Sequence, residues 1–258
     1  VIEAMRSLSS VAAGALAQTP AGQVALDLVA IGRRFADTVT ADCSDAPPAD
    51  GTGGSTHRVM VVAGINSSGA AWDRGPTVDL DVGALGYHAD EGEVRYYSYA
   101  GDGGRYTKAD THRPIDESAA LLAVQLREMQ REQPGREVDL VAHSQGGVVV
   151  DVFLARFYEA GDPSFPPLGN VVTLSSPHEG APLAKVGQQV RASPLGKAAL
   201  DTLEHIAPLP PTGSAAVRDL AEGSSVIREV QDHGVPEHFD YTTIGATEDL
   251  VVPATNIS

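Results

Sequence analysis

Residues 138–147 read Val-Asp-Leu-Val-Ala-His-Ser-Gln-Gly-Gly, an apolar strand running straight into a small-x-Ser-x-Gly turn. Val148, Val149 and Val150 then open a helical run. This is the pattern of a nucleophile elbow, in which a serine sits on a sharp strand-to-helix turn with its hydroxyl exposed. The turn is so tight that the residues two before and two after the serine must be small. Around Ser144 they are Ala142 and Gly146, and Gly147 adds further room. The commoner motif has glycine at the first of these positions, so Ala142 departs from it by one methyl group. A Ser-Gly loop joining two elements is the bland alternative, and the strand before and helix after the turn weigh against it.

Two further segments fit the same chemistry. Phe239–Gly245 reads as a β-branched and aromatic strand, followed by Thr247-Glu248-Asp249-Leu250-Val251-Val252-Pro253. An acidic residue in a loop after a late strand, downstream of the serine, suits the chain order serine, acid, histidine. Asp249 is the first candidate for the acid and Glu248 the second. Upstream, the apolar strand Arg58–Val62 ends in the loop Ala63-Gly64-Ile65-Asn66-Ser67-Ser68-Gly69. A loop in that place supplies one backbone N–H of an oxyanion hole, and the residue after the nucleophile supplies the other. The donors are then the amides of Ile65 and Gln145, with Gly64 allowing close backbone approach.

These segments, together with Leu174-Ser175-Ser176-Pro177-His178-Glu179-Gly180-Ala181-Pro182, resemble α/β-hydrolases of the lipase and esterase kind over roughly residues 57–258. The likeness is to bacterial lipases with an Ala-His-Ser elbow and to inositol-deacylase-like lipases. The usual His-Gly before the oxyanion loop is Ala63-Gly64 here. The resemblance implies an α/β-hydrolase fold, cleavage of a carboxylic ester or lipid through an acyl-enzyme on Ser144, and no cofactor or metal. Thioesterase and acyltransferase chemistry would use the same residues. A non-catalytic binding module on this fold is the alternative from another class.

The resemblance fails at one point. A Ser-Asp-His hydrolase needs a histidine after the acid, and none occurs between Asp249 and Ser258. Without a base a serine hydroxyl is a poor nucleophile near neutral pH. Three explanations compete: a C-terminal segment carrying the last strand, the histidine and a final helix lies outside this chain; an upstream histidine has taken over; or catalysis has been lost. The first is favoured. His178, His233 and His238 are the upstream candidates. His178 follows a strand at the sheet's carboxyl edge and is expected to shape the acyl site or hydrogen-bond a loop rather than act as base. His143 is expected to pack on the opposite side of its strand from the serine. His57, His88, His112 and His205 carry no signal.

A net charge of −16 and the lack of a Lys/Arg run argue against nucleic acid and give no pull toward anionic membranes. The single Cys43 excludes an internal disulfide. No apolar run reaches the ~18–20 residues of a membrane span, so a soluble domain is expected, with its compartment left open. No Cys/His cluster or Gly-x-x-x-x-Gly-Lys loop indicates a metal or nucleotide.

Residues 1–40 suggest two amphipathic helices (Ile2, Met5, Leu8 and Leu16; then Val24, Leu28, Ile31 and Phe35), and 41–56 a linker rich in Asp, Pro, Gly, Ser and Thr. The hydrolase domain spans 57–258. Strands are expected at Arg58–Val62, Glu93–Tyr99, Glu137–Val141 and Asn170–Leu174. Helices are expected at Asp79–Tyr87, Thr111–Gln133 and Gly146–Tyr158. That alternation implies a mostly parallel sheet covered on both faces. Residues 181–232 break the rhythm with helical patches at Leu183–Val190, Lys197–Ile206 and Ala215–Leu220. This insert is expected to cap the pocket or to pack as a surface layer.

Overall fold

The computed structural model describes residues 56–69, 80–101, 103–206, 210–234 and 240–245. The amphipathic helices and linker expected before residue 56 lie outside them. Five strands form one parallel sheet: β1 (Arg58–Val62), β2 (Val94–Tyr96), β3 (Val138–His143), β4 (Leu168–Leu174) and β5 (Asp240–Ile244), in the order β2-β1-β3-β4-β5. The chain runs outward from β1 to β2, then returns across β1 to lay β3 on its other side. The carboxyl ends of β1 and β3 therefore flank the point where strand order reverses, the place where open α/β sheets form a ligand crevice. The register brings Val62 beside Ala142, Ala142 beside Thr173, and Thr173 beside Thr243.

Both faces of the central strands are buried, which is why β1 and β3 read as continuous apolar runs instead of alternating ones. One face, carrying Met60, Val62, Leu140 and Ala142, packs on α1 (Ile115–Glu132) and α2 (Gln145–Arg156). The α1 stripe is the expected one, with Ile115, Ala119, Leu122, Leu126 and Met129 all at most 1% exposed. The expected start at Thr111 is replaced by a separate 3₁₀ turn, Lys108–His112, because Pro114 forces an extended backbone before the helix. On the other face Val59, Val61 and Val141 meet Val82 and Tyr87. The helix expected over Asp79–Tyr87 is a series of turns from Leu80 onward: Gly86 is left-handed (φ 89°) and the Asp81 side chain binds the Ala84 N–H.

The insert divides in two. Its first half is a helical pair, α3 (Pro182–Arg191) and α4 (Pro194–Ile206), with its own small cluster around Val190 and Leu200. Its second half belongs to the main core. From α5 (Ala215–Asp219) and α6 (Ser225–His233), Ala216, Leu220, Val226 and Ile227 join the cluster built on α1 and α2. The α6 helix was not expected from sequence, although Ser224 caps it by accepting from the Ile227 N–H. Strand β5 pairs with β4, and among the described residues nothing pairs with its outer edge. Ile244 on that strand is 52% exposed.

At the sheet's amino-terminal edge a polar cluster closes around Asp139. Tyr87 Oη donates to it at 2.5 Å, the Asn170 N–H at 2.6 Å and Asn170 Nδ2 at 2.9 Å, with His57 Nδ1 at 3.1 Å. His57, without signal in the sequence, therefore helps to seal the end of the sheet remote from Ser144.

Candidate active site

The described non-glycine residues with positive φ are Asn66, Ser144 and Ser175. They follow the carboxyl ends of β1, β3 and β4, three neighbouring strands. Such backbone is costly for residues bearing a Cβ and persists only where the surroundings impose it. Ser144 has φ 54° and ψ −126°, between the last residue of β3 and the first of α2. It stands at the N-cap of α2, where serine usually caps through its hydroxyl, yet its side chain makes no capping bond.

Close packing shows why the neighbours are small. A Cβ on Gly146 would lie 2.4 Å from the Val62 carbonyl oxygen and 2.9 Å from that of Ala63. One on Gly64 would lie 2.8 Å from the Ser144 Cβ, and one on Gly147 2.2 Å from Ser176 Oγ. The loop after β1 and the first turn of α2 are thus in backbone contact around Ser144. His143 is half-buried, and its Nδ1 lies 3.3 Å from where a Gly64 Cβ would be.

The loop after β1 is fixed by residues the sequence did not single out. Tyr99 Oη donates to the Ala63 carbonyl at 2.6 Å, and the Asn66 N–H donates to Thr111 Oγ1 at 3.0 Å. His112 Nε2 meets Asn66 Oδ1 at 2.7 Å, and the Ser67 and Tyr106 hydroxyls lie 2.8 Å apart. His112, expected to carry no role, is therefore tied to the residue next to Ile65. Burial holds it below the usual histidine range, outweighing the nearby Glu204 carboxylate. Its Nε2 faces the Asn66 amide oxygen. Ile65 itself is partly buried against the main core, and Gln145 is fully buried.

His178 is buried and its ring is engaged on both sides. Nδ1 meets Asp151 Oδ2 at 2.5 Å and Nε2 meets Thr173 Oγ1 at 3.0 Å. Tyr241 Oη donates to the other Asp151 oxygen at 2.6 Å. Burial pushes the Tyr241 phenol far above its usual range, and the Asp151 charge adds to this. His178 does line a cavity of about 200 Å³, with Asp151, Leu154, Val230, His233 and Tyr241, but Ser144, Ile65 and Gln145 do not. The pocket expected at His178 thus opens between α2, α6 and β5. Asp249, Glu248 and His238 lie outside the described residues. Among the described residues no group of three or more His, Cys, Asp or Glu is placed to hold a metal, and no helix is long and apolar enough to cross a membrane.

Comparison with known proteins adds the following. No curated protein matches the chain in sequence. Among solved structures it is similar to the mature form of the Bacillus licheniformis lipase BlEst2, at 22% identity and a TM-score of 0.47 over 79% of this chain and 68% of that one. It is also similar to phospholipase PlaB from Legionella pneumophila, at 14% identity and a TM-score of 0.49 over 78% of this chain. The chain spans 41% of that phospholipase. A bromoperoxidase from Bacillus anthracis aligns at 14% identity and a TM-score of 0.47, covering 78% of this chain and 77% of that one. Residues 54–192, slightly more than half of the chain, match the family described as "Putative serine esterase (DUF676)". That match takes in β1, the loop after it, the Ser144 turn and α2, and by it the chain belongs to this putative serine esterase family.

Proposed function

We propose that this protein is a serine carboxylester hydrolase that works through an acyl-enzyme on Ser144. The observation that carries the reading is the Ser144 backbone itself: a left-handed, uncapped serine at a strand–helix junction, wedged between Gly64 and Gly146. The amino-terminal end of α2 points its positive end at this turn, and its first turn holds no acidic side chain to cancel the field. In the proposed reaction Ser144 Oγ attacks the ester carbonyl and the oxyanion accepts the N–H groups of Ile65 and Gln145. The alcohol leaves, and water then cleaves the acyl group from the serine. Asp249 orients the general base that takes the Ser144 proton and returns it to the departing alcohol. His178 is not that base in this reading, because both its ring nitrogens are held by Asp151 and Thr173. The substrate class is a carboxylic ester or lipid.

The test is labelling with a fluorophosphonate, which reacts readily only with an activated serine, together with turnover of short-chain nitrophenyl esters. Labelling and turnover that both vanish in Ser144→Ala support the proposal. Turnover that survives the substitution overturns it.

A further inference from the structure

The two proposed oxyanion donors sit on different pieces of chain, one in the loop after β1 and one at the start of α2. Their spacing must suit a single oxygen atom, and errors well below 1 Å matter for such sites. Strand pairing between β1 and β3 ends at Val62 and Ala142, before either donor is reached. Beyond the strand ends the two pieces touch at Gly146, and a brace that holds their spacing adds to that contact.

Thr111 makes such a connection. It is fully buried on the 3₁₀ turn Lys108–His112. Its Oγ1 accepts from the Asn66 N–H at 3.0 Å while donating to the Lys108 carbonyl at 2.6 Å. Its own carbonyl accepts from Gln145 Nε2 at 3.0 Å. One residue is therefore bonded to the neighbour of Ile65 and to the side chain of Gln145. The turn that carries it is stiff: the Thr107 N–H and hydroxyl both donate to Asp110 Oδ2, at 2.7 and 2.8 Å. The Asp110 N–H in turn donates to the Thr107 carbonyl, closing the turn.

Gln145 gives an independent indication. Its Oε1 is buried without a hydrogen-bond partner among the described residues. An unpaired buried amide oxygen lowers stability, and an apolar side chain would fill the space without that loss. The amide is accounted for by its other end, the donor to Thr111.

We propose that Thr111 is a positioning residue that sets the separation of the Ile65 and Gln145 amides by bracing the β1 loop against the first turn of α2. This rests on the oxyanion role assigned to those amides above. Thr111 touches no substrate and acts through its two neighbours.

The experiment compares Thr111→Val, which keeps the shape and loses the acceptor, with Thr111→Ser, which keeps the hydroxyl. Hydrogen exchange at the Asn66 amide and the kcat and KM for a nitrophenyl butyrate ester are read in the natural full-length protein. In Thr111→Val, exchange at Asn66 should speed up at least about tenfold, and kcat should fall about 30-fold or more with KM within about threefold, for an interaction made in the transition state. Thr111→Ser should restore both to within about threefold. Equal losses in the two variants, unchanged exchange in Thr111→Val, or a kcat kept within about threefold there would each overturn the proposal. Should Thr111→Val not fold, Gln145→Met removes the Nε2 donor, keeps the backbone amide and carries the same kcat expectation. Ser144→Ala separates the two ideas: turnover that survives in it refutes the nucleophile, while the Asn66 exchange still decides whether Thr111 braces the loop.

Discussion

Gly146→Ala adds one carbon atom at the tightest point of the Ser144 turn. The new Cβ would lie 2.4 Å from the Val62 carbonyl oxygen, against the 3.4 Å at which ordinary contact begins. The neighbour is backbone in the middle of the sheet and cannot rotate away, so the first turn of α2 must retreat by roughly 1 Å. Overpacking of this kind costs about 1–3 kcal/mol. For a chain of this size each kcal/mol moves Tm by about 2–4 °C, so a fall of roughly 2–12 °C is expected. The retreat also carries the Gln145 amide, and a misplacement of about 1 Å costs roughly 10²-fold in rate. Calorimetry and the second-order rate of fluorophosphonate labelling measure the two effects. Gly83→Ala is the control, since among the described residues its Cβ would meet one atom, the Asp81 carboxylate oxygen at 3.1 Å, and no backbone. A Gly146→Ala protein that melts with the Gly83→Ala control and labels at the wild-type rate would refute the claim that backbone contact dictates this turn.

Other outcomes follow from the buried polar groups. Burial raises the Asp139 carboxyl, but the hydrogen bonds from Tyr87, the Asn170 N–H and His57 outweigh it and leave the group below the usual carboxylate range. Its stabilisation is complete above the unfolded value of about 3.9 and is lost as pH falls through the lower folded value. Tyr87→Phe should therefore flatten the acid limb of the urea-midpoint curve and cost about 1.5–3 kcal/mol at neutral pH, and an unaltered limb would contradict this. His178→Ala leaves Asp151 buried without its ring partner and should cost about 3–5 kcal/mol in urea unfolding. Fluorophosphonate labelling per folded molecule should stay within about threefold of wild type, and its abolition would make His178 the base after all. Burial pushes Tyr106 up to about 12 and also raises Tyr97, Tyr99 and Tyr241. The neutral phenols are favoured by the fold, so stability should fall as pH rises past the unfolded value near 10. In an absorbance titration these four should ionise together on alkaline unfolding, and gradual ionisation in the folded protein would show that they are not sealed.

Much of this architecture was legible because it follows from local periodicity. The α1 stripe from Ile115 to Met129 and the unbroken apolar runs of β1 and β3 are forced by what must be buried, and the Ser144 turn is announced by Ala142 and Gly146. Contacts between distant segments were not legible. Thr111 and Asn66 are 45 positions apart, and Asp151 and His178 are 27. Nothing in either local sequence marks the partner, so neither the Asn66 bond of His112 nor the Asp151 bond of His178 can be read from it. Over Asp79–Tyr87 a short helix is the expectation from sequence, and the left-handed Gly86 and the Asp81–Ala84 bond make it turns from Leu80 onward. The α6 helix was overlooked although Ser224, Val226, Ile227 and Val230 carry its cap and stripe.

The left-handed residues at the ends of β1, β3 and β4 bear on how this protein can be improved or spoiled in the laboratory. Each such non-glycine conformation costs on the order of 1–3 kcal/mol, a sizeable fraction of the roughly 5–15 kcal/mol that holds a protein folded. Glycine at Asn66, Ser144 or Ser175 relieves that strain without disturbing the sheet. A directed-evolution screen that rewards heat resistance alone would drift toward those substitutions, and the hardiest survivor would lack the serine hydroxyl. Stabilising mutations are better sought in α3 and α4, where the helices form a cluster of their own and the backbone of the Ser144 turn is left alone.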